Sequence, residues 1–203
     1  MDNVLIAPGV ALVDISASLP RHKTLRYRIR VNEPEALIVH HSASDRVTRL
    51  DPHHDDPRIF EMMAQNHITP RDGAPLGWPG IAYHTGIARV PDRDSAGNLI
   101  TCKLAPESTI RYHSGGRANL RCSALVLQGH LGLYPLTPEQ EICTSAYLEY
   151  WLAEHPGGVI GWHAIASRWG GRDKRACPGR YAVEWLRAWL TARGLPADPG
   201  HLV

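Results

Sequence analysis

The chain has 203 residues and carries 22 Lys and Arg against 20 Asp and Glu, a formal charge of +2. That length suits one domain or a domain with a short extension, and the near-balance of charge gives no electrostatic footprint for nucleic acid. With 43% hydrophobic and 21% charged residues the composition is that of a folded globule, and no apolar run approaches the roughly 18 residues of a membrane helix. Asp2 stands where a secretory signal needs basic residues, so the start of the chain does not read as one. The four cysteines, Cys102, Cys122, Cys143 and Cys177, lack close pairing, which argues against a disulfide-dense scaffold or a zinc finger. One disulfide among Cys102, Cys122 and Cys143 stays open. Twelve histidines make a metal site drawn from distant residues worth seeking.

Residues 1–34, punctuated by Pro8, Pro20 and Pro34, read as an N-terminal extension, and the basic stretch 21–30 as a solvated surface strand. The domain is expected over 35–195, with 196–203 as a tail. It opens on residues 36–41 (ALIVHH), a short apolar run with β-branched residues at its centre, which predicts a buried strand. The polar loop 51–57 precedes a short helix over about 58–66, with Ile59, Met62 and Met63 as its apolar stripe. Residues 81–87, 99–104 and 122–127 (CSALVL) predict further strands, the second following turn chemistry at 94–97.

Thr137-Pro138-Glu139-Gln140 is a helix start, with Thr at the N-cap, Pro at the first helical position and Gln at N3 to close a capping box. That helix should run to about Ala153 and bury Ile142, Cys143, Ala146, Tyr147 and Tyr150. Residues 159–163 (VIGWH) form a short strand ending in His. A last helix over about 179–193 carries Tyr181, Trp185, Leu186, Trp189 and Leu190 on one face, with Gly194 and Pro196 after it. Strands interleaved with helices predict a single α/β domain: a central mixed sheet of about five or six strands flanked by helices.

Three places carry chemistry. His40 and His41 end a buried strand, His163 ends another, and Cys177 precedes a helix. Two imidazoles and a thiolate suit zinc, with the fourth position left to water in a catalytic site. Adjacent strand residues point to opposite faces, so only one of His40 and His41 should reach the metal.

The order of these pieces resembles the type-2 N-acetylmuramoyl-L-alanine amidases, which share a fold with the peptidoglycan recognition proteins and the amidase-type phage lysozymes. The matching runs are 37–43 (LIVHHSA), 80–84 (GIAYH), 112–115 (YHSG), 123–129, 161–163 (GWH) and 175–179 (RACPG), spread over roughly 36–193. The resemblance implies zinc-dependent hydrolysis of the amide between N-acetylmuramic acid and L-alanine in bacterial peptidoglycan, a bacteriolytic, endolysin-like activity. By motif the zinc ligands are His40, His163 and Cys177, with His41 the poorer candidate. Tyr83 matches a tyrosine near the zinc-bound water, and Arg175 the position where phage members carry a catalytic lysine. His113 matches a polar cleft position and is expected to touch substrate, as are Trp78 and Trp169 from their Gly-rich loops. An arginine stabilises an oxyanion but does not shuttle protons, so Tyr83 is the candidate relay and Lys174 the adjacent alternative.

The spacing departs from the compact members. Fourteen positions separate His163 from Cys177, the excess lying in 167–173. Val126 stands where some relatives have a glutamate, and Thr85 replaces an aromatic common after Tyr-His. Other histidines read as bland. His53 and His54 among Asp51, Asp55 and Asp56 are a solvated loop, His84 is structural, and His22, His67, His130, His155 and His201 carry no signal beyond surface or loop placement. The expectation is a monomer acting on peptidoglycan, with neither nucleic acid nor membrane as partner. It would be made in the cytoplasm and reach the wall as a phage lysin does, or serve cytosolic recycling. The alternative is a non-catalytic peptidoglycan-binding module of the same fold.

Overall fold

A computed structural model describes residues 3–43, 56–71, 74–165 and 176–197. Seven strands form one mixed sheet: β1 (Asn3–Ala7), β2 (Val10–Asp14), β3 (Ala36–His41), β4 (Thr85–Ile87), β5 (Leu99–Lys103), β6 (Cys122–Leu127) and β7 (Val159–Trp162). Their order across the sheet is β1-β2-β5-β4-β6-β3-β7. The helices are α1 (Asp56–Ile68), the single turn α2 (Ala118–Arg121), α3 (Pro138–Glu154) and α4 (Arg180–Ala192). The architecture is the expected α/β domain, with a sheet longer than five or six strands because the N-terminal segment supplies β1 and β2. β2 pairs parallel with β5, from Val10 against Leu99 to Asp14 against Lys103.

β3 lies between β6 and β7 and is parallel to both, so the C-terminal ends of all three meet at one edge. Such an edge is where open α/β sheets collect ligands. Alternation along β3 divides its side chains. Leu37 and Val39 pack into the larger core against Leu148 and Trp151 of α3 and Leu186 and Trp189 of α4. Ala36 and Ile38 face the other way, with Ala118 and Cys122. On that second face Ile59, Phe60 and Ala64 of α1 pack against Ala11, Cys102 and Val126. His40 therefore leaves the strand on the face of Ala36 and Ile38, and His41 on that of Leu37 and Val39.

Several local expectations need correction. The stretch 21–30 is not a strand. Its backbone is irregular, and it docks through Tyr27, whose hydroxyl donates to the carbonyl oxygens of Gly80 (2.8 Å) and Ile81 (3.0 Å), and through buried Arg30. The predicted strand 81–87 shortens to Thr85–Ile87. Thr137 does cap α3, accepting from the Gln140 amide at 3.2 Å. The Gln140 side chain, however, does not reach back to close the box; it donates instead to the Gln128 carbonyl at 2.9 Å. That bond serves a carbonyl beyond the end of β6, an obligation that exceeds the value of a second helix cap. Ile142 is 52% exposed, and Thr144, Leu148 and Trp151 take the buried face of α3 instead. All four cysteines are buried thiols, so none of Cys102, Cys122 and Cys143 is in a disulfide. Among the described residues no helix is long and apolar enough to cross a membrane.

Candidate metal centre

His40, His163 and Cys177 converge, although 14 to 137 positions separate them in the chain. Each offers one donor atom, and the three atoms lie within 4.8 Å of one another, all in buried side chains. His40 comes from the end of β3 and His163 immediately follows β7, so two parallel neighbours deliver both imidazoles to one sheet edge. Their ring centroids are 4.6 Å apart. Cys177 arrives on the segment leading into α4, where its carbonyl accepts from the Ala164 amide at 2.8 Å. Its Sγ is 3.8 Å from His40 Nδ1, and the His41 amide points at the same sulfur from 3.3 Å. A tetrahedral zinc with bonds of about 2.0 and 2.3 Å places its nitrogen and sulfur about 3.5 Å apart, so the geometry and the donor chemistry both fit.

The His40 imidazole is held in the state a metal requires. Burial drives the pKa of His40 well below the ordinary 6.5, helped by His113, His163 and His41 nearby. His113 is pushed down to about 3, again chiefly by burial. Neutral rings keep a lone pair for coordination.

His41 turns to the opposite face, where its Nδ1 accepts the Leu131 amide at 3.1 Å. Burial lowers its pKa to about 4. It is not among the three converging donors. Tyr83 sits two residues before β4 rather than inside a strand, with its ring centroid 5.3 Å from that of His40. His113 is buried, and both its nitrogens are engaged within the protein, Nδ1 with His40 Nε2 (3.0 Å) and Nε2 with the Cys122 carbonyl (3.3 Å). His113 nevertheless lines the cleft. Trp78 lines the cleft, flanked by His67, Tyr112 and the Arg71 guanidinium 4.5 Å above its ring. Arg175, Lys174, Trp169, the run 167–173, and His53 and His54 lie outside the described residues.

The donors open into a cleft of about 1190 Å³. Sequence reasoning missed four of its walls: His67 in the last turn of α1, Arg71 just after that helix, His130 beside His41, and Arg180 at the start of α4. His67 lies between Trp78 and Tyr83 and accepts the Ala82 amide on Nδ1 at 3.1 Å, and burial lowers its pKa to about 4. No local pattern marks these residues, because what places them is contact between distant segments. His84 is structural as read, fully buried between the Thr109 carbonyl and the Ala124 amide. Val126 pairs with His40 in register and is fully buried, so no carboxylate enters from β6 at that level. Thr85 donates to the Tyr147 hydroxyl at 2.7 Å inside the core.

No family model matches the sequence, and no curated protein matches it either. Solved structures do match the architecture. Drosophila PGRP-LB aligns with a TM-score of 0.63 at 16% identity, covering 95% of this chain and 98% of its own. The chain has the fold of the N-acetylmuramoyl-L-alanine amidases and peptidoglycan recognition proteins. The amidase side of that fold is represented by the endolysin LysCS from Clostridium intestinale URNW, with a TM-score of 0.56, 17% identity and coverage of 91% and 95%. The Ph2119 endolysin of Thermus scotoductus MAT2119 bacteriophage Ph2119 gives 0.58 and 19%, covering 83% and 91%. The structures of this fold also include PGRP-LCa and PGRP-LCx with bound tracheal cytotoxin.

Proposed function

We propose that this chain is a zinc-dependent N-acetylmuramoyl-L-alanine amidase that cleaves bacterial peptidoglycan between the lactyl group of N-acetylmuramic acid and the stem peptide. The observation that carries this reading is the convergence of His40, His163 and Cys177 on a large open cleft, a donor set of three that leaves one position of a tetrahedron for water or substrate. His40, His163 and Cys177 would hold the ion, which when bound supplies a Lewis acid and lowers the pKa of water toward about 7. The His41 amide, donating to Cys177 Sγ, favours the thiolate that a ligand must be. Tyr83 stands beside His40 at the cleft and is the group that orients the attacking water and passes a proton toward the leaving amine. Arg175, two residues before Cys177, is the cation for the oxyanion of the tetrahedral intermediate. Trp78, which lines the cleft, is assigned contact with a sugar or peptide, and Trp169 the same role from its place in the sequence.

The test is dye release from purified peptidoglycan by the wild type, with and without chelator, and by Cys177→Ala. New L-alanine amino termini without new reducing sugar ends, abolished by chelator and by the substitution, support the amidase. Wall binding with no release overturns it in favour of a recognition module.

A further inference from the structure

His40 can serve as a ligand only if its Nδ1, the nitrogen facing Cys177, carries a lone pair. A neutral imidazole has two tautomers, and something must choose between them. The choice is traceable from a backbone carbonyl. The Cys122 oxygen is an acceptor only, and His113 Nε2 lies 3.3 Å from it, so that nitrogen carries the proton. His113 Nδ1 is then an acceptor, and the group it faces at 3.0 Å is His40 Nε2, which must donate. The Ser114 hydroxyl, 2.9 Å away, donates to the same Nδ1. With its proton fixed on Nε2, His40 presents a bare Nδ1 toward Cys177. The position of His113 is itself locked, because the Asn119 side-chain oxygen accepts the amides of both His113 (3.1 Å) and Ser114 (2.9 Å).

The chain of bonds reaches the N-terminal segment. Arg30, buried, donates from Nη2 to the same Cys122 oxygen at 2.7 Å. Its backbone is pinned in turn by its amide, which donates a hydrogen bond to the Ser108 carbonyl, and by a bridge between Ile29 and Thr109. Resting on the reading that His40, His163 and Cys177 hold zinc, we propose that His113 is a positioning residue that sets the tautomer and ring orientation of His40. Arg30 anchors the far end of the same relay. The N-terminal segment thereby contributes to metal affinity without approaching the metal. Groups that hold a ligand histidine from behind are typically worth about 10- to 100-fold in affinity.

Long-range ¹H–¹⁵N correlation spectra of the metal-free wild type read the tautomers directly. Nε2–H forms for both His40 and His113 support the proposal, and an Nδ1–H form for either overturns it. Zinc affinity by competition with a chelating dye, on variants whose circular dichroism matches the wild type, supplies the second readout. His113→Leu, which has no acceptor, should bind zinc about 10- to 100-fold more weakly. His113→Asn, which keeps an acceptor where Nδ1 lay, should recover most of the loss, and Arg30→Met should lose a few-fold. Wild-type affinity in His113→Leu, or equal losses in Leu and Asn, overturns the positioning role. These measurements need no peptidoglycan. A wild type that binds zinc but releases no wall fragments refutes the amidase reading and leaves this one standing, whereas a wild type that binds no zinc overturns both.

Discussion

Gly179 ties the fold to the metal centre, and replacing it tests that tie. It is the N-cap of α4, two residues after Cys177, with φ of +91°. A β-carbon there would lie 2.5 Å from the carbonyl carbon and 2.7 Å from the oxygen of Leu131, and closer still to the Gly132 nitrogen. Those are backbone atoms, already held by the Tyr181 amide donating to the Leu131 carbonyl at 3.1 Å, so they cannot swing aside as a side chain would. Two costs add in Gly179→Ala. Holding a residue with a β-carbon at φ +91° and ψ 160°, a region essentially reserved for glycine, costs about 1–3 kcal/mol, and the forced contact about 1–3 kcal/mol. The sum is about 2–6 kcal/mol, or roughly 4–24 °C in Tm for a protein of this size. Gly157→Ala is the control, since its φ is +84° but a β-carbon there meets nothing within 4 Å. It should lose only the backbone cost, about 1–2 kcal/mol. Guanidinium unfolding of both variants in chelator measures the difference, and dye competition should show weaker zinc binding in Gly179→Ala alone. Equal losses in the two variants, or native zinc affinity in Gly179→Ala, would refute the reasoning.

Lowering pH should destabilise the metal-free protein. His113, His67 and His41 have folded-state pKa values near 3, 4 and 4, below the ordinary 6.5. Stability is then complete above about pH 6.5 and drains as pH falls toward those values, because only the unfolded chain takes up the protons. His113 alone gives a slope of about 1.4 kcal/mol per pH unit, with smaller additions from the less enclosed His67 and His41. Unfolding midpoints that stay flat from pH 7 to 4 would contradict this. Tyr83→Phe should retain zinc and lower kcat by about 100-fold, the lower end of what a positioned proton-transfer group contributes; unchanged turnover removes it from the chemistry. Trp78→Ala should raise KM for a soluble muropeptide by about 3- to 10-fold with kcat nearly intact, and an unaltered KM would show that the ring only pins its loop.

The legible parts of this chain were those written in local pattern. The bounds of β3 and β6 follow from short apolar runs ended by polar residues, and Thr137-Pro138 marks the start of α3 because capping is settled within four residues. His40, His163 and Cys177 stood out because each sits at the end of a recognisable element. What stayed hidden depends on partners remote in sequence. Nothing in residues 10–14 announces that β2 pairs with β5, and nothing in the basic stretch shows that Arg30 will reach the Cys122 carbonyl. Gln140 has the right spacing for a capping box, yet an unsatisfied carbonyl after β6 claims its side chain. His67 and His130 looked like surface residues because the cleft that recruits them exists only once α1 and the loop after β6 have packed. His113 was recognisable as a site residue, but its part in holding His40 emerges only from the bonding of its two nitrogens.

X-ray absorption at the zinc edge on the reconstituted protein addresses the metal centre most directly. The account predicts one zinc per chain with two imidazole nitrogens near 2.0 Å and one sulfur near 2.3 Å, the sulfur disappearing in Cys177→Ser. A zinc shell without sulfur in the wild type, or one that Cys177→Ser leaves unchanged, would contradict it.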